Sequence, residues 1–217
     1  MKKYTDPFEV AFLNYLEGRA GNLVVEPNKG DLEEIPVSYF FRSFEEMPEM
    51  EKVALENCSG SVLDIGAGSG CHSLVLQQKG VDVTALEIKE GLAEVMKKQG
   101  VRNVVLADIM KYSRGTYDTL LMLMNGAGIM GTLDKLARFL KHAGSLLNAG
   151  RQIILDSSDL LYLYEEDDGS YRINLNEAYY GEVIYRVSYE NIQGEPFKWL
   201  FVDFSTLEQI ASDEGYR

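Results

Sequence analysis

The chain has 217 residues, 46% hydrophobic and 25% charged, an ordinary globular composition with room for one core, or one core and a small appendage. With 34 acidic residues against 21 basic ones the net charge is −13, which argues against nucleic acid as a substrate, because neutralising phosphates takes a basic face. No apolar run reaches the length of a membrane span, Met1 to Pro7 lack the apolar centre of a leader, and Cys58 and Cys71 form neither a disulfide framework nor a metal-ligand pattern. A cytoplasmic protein without a metal or a membrane contact is expected.

Asp6 followed by Pro7 is a helix-start signal. Phe8, Val10, Phe12, Leu13, Tyr15 and Leu16 then make a partly amphipathic helix that ends near Gly18. Residues 26–36 read as an acidic loop, followed by Tyr39-Phe40-Phe41, and Glu45 to Asn57 read as a second helix. Residues 1–58 are therefore expected to be a helical cap, lying either over a ligand site or over a sheet edge.

The stretch Val62-Leu63-Asp64-Ile65-Gly66-Ala67-Gly68-Ser69-Gly70 is a short apolar run with an acid near its end, followed by three glycines at alternate positions. The run has the character of a buried parallel strand. The glycines force a tight turn, and Cys71 to Lys79 start a helix. A strand, glycine turn and helix in this order offer bare backbone and a helix N-terminus to a ligand. A dinucleotide fingerprint places its third glycine three positions after the second. Here it comes after two, and Cys71 stands where that fingerprint takes Gly or Ala. A carboxylate at Asp64 would repel a pyrophosphate and suits a ligand with an ammonium group.

Val81 to Glu87 read as a second strand closed by an acid, Glu87, about one βα unit downstream, where such acids accept from ribose hydroxyls. Asn103 to Ile109 read as a third strand, with Asp108 near its end. On these residues, over roughly positions 60–156, the chain resembles the class I S-adenosylmethionine-dependent methyltransferases. The resemblance implies S-adenosyl-L-methionine as cofactor, S-adenosyl-L-homocysteine as product, and a cofactor site of Asp64, Gly66, Ala67, Gly68, Gly70, Glu87, Ile88, Asp108, Ile109 and Asn125. Glu87 would hold the ribose, Ile88 would pack on the adenine, and Asp108 would lie near the adenine amino group.

Gly91 to Gln99 read as a helix, Tyr117 to Leu123 as the fourth strand, Met130 to His142 as a helix, Leu146 to Gly150 as a turn and Gln152 to Asp156 as the fifth strand. This alternation predicts an α/β fold with a doubly wound, mostly parallel sheet. Residues 182–189 and 197–204 alternate as a β-hairpin, an insertion over about 180–204, and Ser205 or Thr206 caps a last helix. The two strands with which the resembled family closes its sheet are not evident, so the organisation expected is a cap over 1–58 and a cofactor domain over 59–217. The uncovered edge at Gln152–Asp156 is expected to be shielded by the hairpin or by a partner subunit, as in a homodimer.

Methyl transfer from a sulfonium needs proximity, orientation and a dry site, with a general base only where the nucleophile arrives protonated. Asn125, at the end of the fourth strand, and Asp156, after the fifth, are the candidate catalytic residues. Asn125 is equally a turn residue, and Asp156 with Asp159 is equally a solvated loop. His72, His142 and Cys71 read more readily as structural. Tyr39, Phe40, Phe41, Tyr179, Tyr180 and Trp199 are pocket or core. The function expected is methyl transfer to a small-molecule acceptor, with a protein acceptor second. Aminopropyl transfer and a non-catalytic S-adenosylmethionine-binding module are the alternatives, and the glycine spacing disfavours an NAD-dependent dehydrogenase.

Overall fold

A computed structural model describes residues 4–174 and 176–217; Met1 to Lys3, part of the stretch read for a leader, and Leu175, in the acidic loop, lie outside the described residues. Helix α1 (Pro7–Leu16) starts where Asp6 accepts hydrogen bonds from the Phe8 and Glu9 N–H groups. Strands β1 (Asn22–Pro27) and β2 (Glu33–Pro36) follow, and then α2 (Glu49–Asn57). The central run is β3 (Ser61–Ile65), α3 (Cys71–Gln78), β4 (Asp82–Glu87), α4 (Glu90–Gln99), β5 (Val104–Leu106), β6 (Tyr117–Met122), α5 (Leu133–Ala143) and β7 (Leu147–Leu155). The chain continues through β8 (Glu182–Tyr189), β9 (Ile192–Gln193), β10 (Phe197–Leu200) and α6 (Phe204–Asp213).

Strands β3 to β7 form a parallel sheet in the order β5-β4-β3-β6-β7. Both faces of β3 are covered, so Val62, Leu63, Asp64 and Ile65 are all buried, the pattern of a parallel strand between helical layers. Helix α5 buries Leu136, Phe139, Leu140 and Ala143, the i, i+3, i+4, i+7 stripe of a helix docked along one face. The α/β architecture expected from the alternation is present. Its strands differ in extent: β5 stops at Leu106, and β7 begins at Leu147, within the stretch read as a turn, with a register shift between Tyr117 and Thr119 absorbing the irregularity.

The acidic stretch 26–36 is not a loop. It contributes to β1 and β2, which pair antiparallel, Leu23 with Ile35. Strand β1 in turn pairs with β8, Leu23 with Tyr189, and β8 with β10, Val183 with Trp199. The second sheet therefore runs β10-β8-β1-β2, with β9 attached to β8. The N-terminal segment is thus only partly helical, and it shares one sheet with the hairpin. The hairpin forms with its second strand ending at Leu200, short of the expected 204, where α6 already begins; in its first strand Val183, Val187 and Tyr189 are buried, Tyr185 half-buried on the same face, and Ile184 and Arg186 exposed on the other. It does not lie beside β7, which stays an edge strand of the parallel sheet.

This second sheet is anchored near the C-terminal edge of the first at two places. On one flank α1 packs on α4, where the Gly91 N–H donates to Glu9 Oε1 at 2.6 Å and Lys89 pairs with Asp6. On the other flank β10 lies against the turn Gly126–Met130: a Cβ on Gly128 would fall 2.1 Å from the Trp199 ring. Helix α6 begins two or three residues earlier than read, because Asp203 is the cap and accepts from the Thr206 N–H at 2.9 Å. Among the described residues no helix is long and apolar enough to cross a membrane, and no cluster of three metal-ligating side chains occurs.

Candidate cofactor and acceptor site

Between β3 and α3 the backbone turns through Gly66 (φ 73°), Gly68 (φ 58°) and Gly70 (φ 86°), all in the left-handed region that glycine enters without strain. The turn is bonded to the fold rather than left with free donors. Gly66 and Ala67 N–H donate to the Leu86 carbonyl, Gly70 N–H to Ala67, and Gly68 N–H to Glu87 Oε2 at 3.1 Å. A Cβ on Gly68 would meet only the Gly66 carbonyl, 3.8 Å away, whereas on Gly66 it would strike the Ile129 side chain. The surface at Gly68 is therefore open, a stretch of backbone on which a ligand can lie.

Glu87, at the tip of β4, is buried, and its Oε1 accepts from the Ile88 and Lys89 N–H groups at 2.8 and 3.0 Å. Burial pushes its carboxyl above the ordinary range, against the opposing pull of those N–H donors. Beside it Ile88 is 65% exposed and Leu106, at the tip of β5, is 51% exposed. Two large apolar side chains in solvent, flanking a held carboxylate, suit a flat aromatic ring with a ribose attached. Asp108 Oδ1 accepts from the Met110 N–H at 3.0 Å, and a cavity of about 350 Å³ lined by Leu106, Asp108 and Lys111 opens here. A larger cavity, about 530 Å³, lies between α5 and α6, lined by Leu133, Ala137 and Ile210 and by none of the expected site residues. Leu106 was missed in the sequence, although an apolar residue closing the third strand was the available signal.

Three expected residues have their side chains engaged within the fold. Asp64 is 2% exposed and accepts from the Ser73 hydroxyl at 2.6 Å, which braces α3 against β3. Its carboxyl is raised by burial, which outweighs the His72 charge and the Ser73 hydrogen bonds. Ile109 is packed into the main core, which leaves only its backbone for a ligand. Asn125 takes φ 56°, its Nδ2 donates to the Leu200 carbonyl at 3.0 Å, and its Oδ1 accepts from Ser157 and Ser158. Both ends of its amide are engaged in tying β6 to β10 and to the segment after β7. Asp156, just after β7, meets the same turn, with Oδ1 accepting from the Gly126 N–H at 3.0 Å.

Beyond Asp156, Tyr179 donates to Asp203 at 2.6 Å and Tyr180 to Asp159 at 2.7 Å. The inner face of the second sheet adds an aromatic row, with Tyr185 and Phe197 rings 6.2 Å apart and Phe197 and Trp199 6.1 Å apart. Burial pushes the Cys71 and Cys58 thiols up, to about 11 and about 12, which disfavours the thiolate form. His142 Nε2 bonds the Tyr112 carbonyl at 2.9 Å, a structural contact.

A group with no sequence signal abuts the glycine turn. Ser69 donates to the Phe40 carbonyl, tying the N-terminal segment to the turn, and Gln99 donates to the Ser69 carbonyl at 2.6 Å. Two residues on, Arg42 Nη2 donates to both oxygens of Glu51, at 2.6 and 2.9 Å, and His72 Nε2 lies 2.8 Å from Glu51. Burial pushes the Glu51 carboxyl up, but the His72 and Arg42 contacts outweigh it and leave the group below the usual range.

A protein-family model described as "Methyltransferase domain" matches residues 63–148, from the heart of β3 into β7. A crystal structure of a SAM-dependent methyltransferase from Bacteroides fragilis, in complex with S-adenosyl-L-homocysteine, is 41% identical, with a TM-score of 0.90 over 99% of this chain and 88% of that one. The chain belongs to the S-adenosylmethionine-dependent methyltransferases. This methyltransferase shares its fold, at 13% identity and a TM-score of 0.56, with a second one from Clostridium acetobutylicum, over 78% of its own length and 81% of the other. A curated relative, ribosomal protein L11 methyltransferase from Thermosipho melanesiensis, is 28% identical over 110 residues, which is 48% of this methyltransferase and only 41% of that protein.

Proposed function

We propose that this chain binds S-adenosylmethionine along the glycine turn and transfers its methyl group to a small-molecule acceptor. The observation that carries the reading is the unit formed by Gly68 and Glu87: open backbone at the strand tip, and beside it a buried carboxylate flanked by exposed Ile88 and Leu106. When bound, the cofactor supplies an electrophilic methyl group together with its own leaving group.

The protein's own work is then holding and enclosing. Glu87 accepts from the ribose hydroxyls, Ile88 and Leu106 sandwich the adenine, and Asp108 receives its amino group. Gly66, Ala67, Gly68 and Gly70 let the amino-acid portion lie on backbone, and Asp64 fixes that turn through Ser73. Asn125 is a positioning residue that holds the end of β6 against β10. Asp156, bonded to the Gly126 turn from the end of β7, would take a proton from an acceptor approaching over β6 and β7 where one must leave. The aromatic row Tyr185, Phe197 and Trp199 supports a compact acceptor, because it belongs to a sheet anchored on both flanks of the same edge.

The experiment is transfer of a labelled methyl group from S-adenosylmethionine, run in parallel against a metabolite panel and against intact ribosomal proteins, the acceptor class named for the Thermosipho relative. Label in a metabolite supports the reading; label in protein alone replaces its acceptor. Binding of S-adenosylhomocysteine without turnover on either panel favours a binding module.

A further inference from the structure

The negative charge of this chain is unevenly placed. Residues 59–156, which build the parallel sheet and its helices, carry 9 acidic and 11 basic side chains. The segments on either side carry 25 acidic side chains against 10 basic ones, and they supply every strand of the second sheet. The acceptor side is therefore walled by the strongly negative part of the molecule, and a field of that sign gathers cations.

The sheet face that carries the aromatic row also carries an unpaired carboxylate. Val25 stands opposite Val187 on β8 and opposite Glu33 on β2, and residues directly opposite one another share a face. Phe197 stands opposite Tyr185 in the same way, so Glu33, Val187, Tyr185 and Phe197 all belong to one face. Glu33 is exposed, and no hydrogen bond or ion pair engages its carboxylate among the described residues. The Tyr185 ring lies 6.2 Å from Phe197 and 6.1 Å from Phe201. Burial, together with the Glu33 charge, pushes the Tyr185 hydroxyl up to about 12, so the ring stays neutral. The nearby cations are engaged elsewhere. Arg186 and Lys198 project from the opposite face, where Lys198 pairs with Glu182 at 3.3 Å, and Lys29 donates to the Tyr164 hydroxyl at 2.7 Å.

Resting on the acceptor reading above, we infer that the acceptor carries an ammonium group, held between the Glu33 carboxylate and the ring of Tyr185. A cation beside a carboxylate and over an aromatic face gains both attractions that this surface offers, and a neutral or anionic group gains neither. Glu33 stands on β2, three strand spacings from β10, on the order of 14 Å across the sheet. Strand β10 is the one that abuts the Gly126–Met130 turn, to which Asp156 is bonded. The ammonium is accordingly a handle at one end of an elongated acceptor, and the atom that takes the methyl group lies at the other. Glu33 sets acceptor specificity and has no part in holding the cofactor.

The test is calorimetry on the full chain saturated with S-adenosylhomocysteine, using three probes of one shape and different charge. Tyramine is the cation, its N-acetyl derivative the neutral form, and 3-(4-hydroxyphenyl)propionate the anion. The wild type should bind tyramine about tenfold or more tighter than either of the others, the scale of one charge-assisted contact. Glu33→Gln should abolish that preference and leave S-adenosylhomocysteine affinity within about twofold, while Glu33→Asp should keep part of it. Tyr185→Leu should weaken tyramine and spare the neutral probe. Equal affinity for the three probes, a preference for the anion, or no binding of any of them overturns the inference, and so does a Glu33→Gln variant that keeps the preference. A wild type that fails to bind S-adenosylhomocysteine before any probe is added overturns the cofactor reading, and this inference with it.

Discussion

Glu87 Oε2 accepts the Gly68 N–H at 3.1 Å, so the acid at the tip of β4 and the middle glycine of the turn after β3 form one rigid unit. The same carboxylate caps the Ile88 and Lys89 N–H groups through its other oxygen. Glu87→Gln exchanges one accepting oxygen for an amide donor. Loss of a charge-assisted contact is worth ~1.5–3 kcal/mol. S-adenosylhomocysteine affinity should therefore fall about tenfold or more, and 5′-methylthioadenosine, which keeps the ribose, should suffer equally. Calorimetry on both ligands checks this; a loss confined to the first would remove Glu87 from the ribose.

Gly68→Ala isolates the open backbone. Its Cβ would touch only the Gly66 carbonyl, at 3.8 Å, so the fold meets the substitution as the strain of a left-handed alanine, ~1–3 kcal/mol. The expected outcome is a protein that still unfolds cooperatively, with a Tm lowered by several degrees and cofactor binding reduced far more than stability. Thermal unfolding with and without S-adenosylhomocysteine reads both. A variant that binds normally would place the ligand elsewhere.

Asn125→Ala removes the donor to Leu200 and the acceptor of Ser157 and Ser158, and places alanine at φ 56°. Each hydrogen bond contributes about 0.5–1.5 kcal/mol, so the variant should be destabilised by ~2–4 kcal/mol in all. Turnover per folded molecule should drop modestly, through misplacement of β10. If instead the Tm is unchanged and kcat collapses, Asn125 touches the acceptor directly.

The pH dependence of stability has a defined sign at Asp64. Burial raises its carboxyl above the ordinary value of 3.8, so the folded state holds a proton that the unfolded state has already released. Its contribution is then fully present below the unfolded value and is lost as pH rises through the folded one. Asp64→Asn removes that slope. The Tm difference, Asn variant minus wild type, should grow more positive from acid toward neutral pH and then level off. Glu51 runs the other way: its lowered carboxyl contributes stability above about 4.5, lost as pH falls through the folded value. Asp64→Asn should leave that acid limb intact, and a Tm difference that does not change with pH would contradict the buried charge.

The parallel sheet was legible because each of its strands carries its own signal: an apolar run, a turn and a following helix, readable within some twenty residues. The glycine spacing and Glu87 were legible for the same reason. Strands β1 and β2 were not. Asn22-Leu23-Val24-Val25-Glu26-Pro27 is short and closed by a proline, and Glu33-Glu34-Ile35-Pro36 is mostly polar, as an edge strand is. What makes them strands is β8, far along the chain, and no local pattern announces that pairing. Arg42 and Glu51 carry no local signal, since the burial that turns them into a matched pair arises only where α2 meets α3. Asp64 was found, but its partner Ser73 decides which way it acts, and a hydroxyl nine residues on carries no signal of its own.

The pairing of β1 with β8 also sets an order of assembly. Leu23 meets Tyr189 across most of the chain, so this sheet closes a long loop, whereas β3 to β7 close through neighbouring βα units. During synthesis every strand of the parallel layer precedes Glu182 in the chain. Until β8 follows, β1 and β2 wait as an unpaired hairpin, with a naked edge that invites association with other chains. The aromatic face of β8 and β10 thus comes after the parallel layer in the chain, and its place depends on β1 having stayed available.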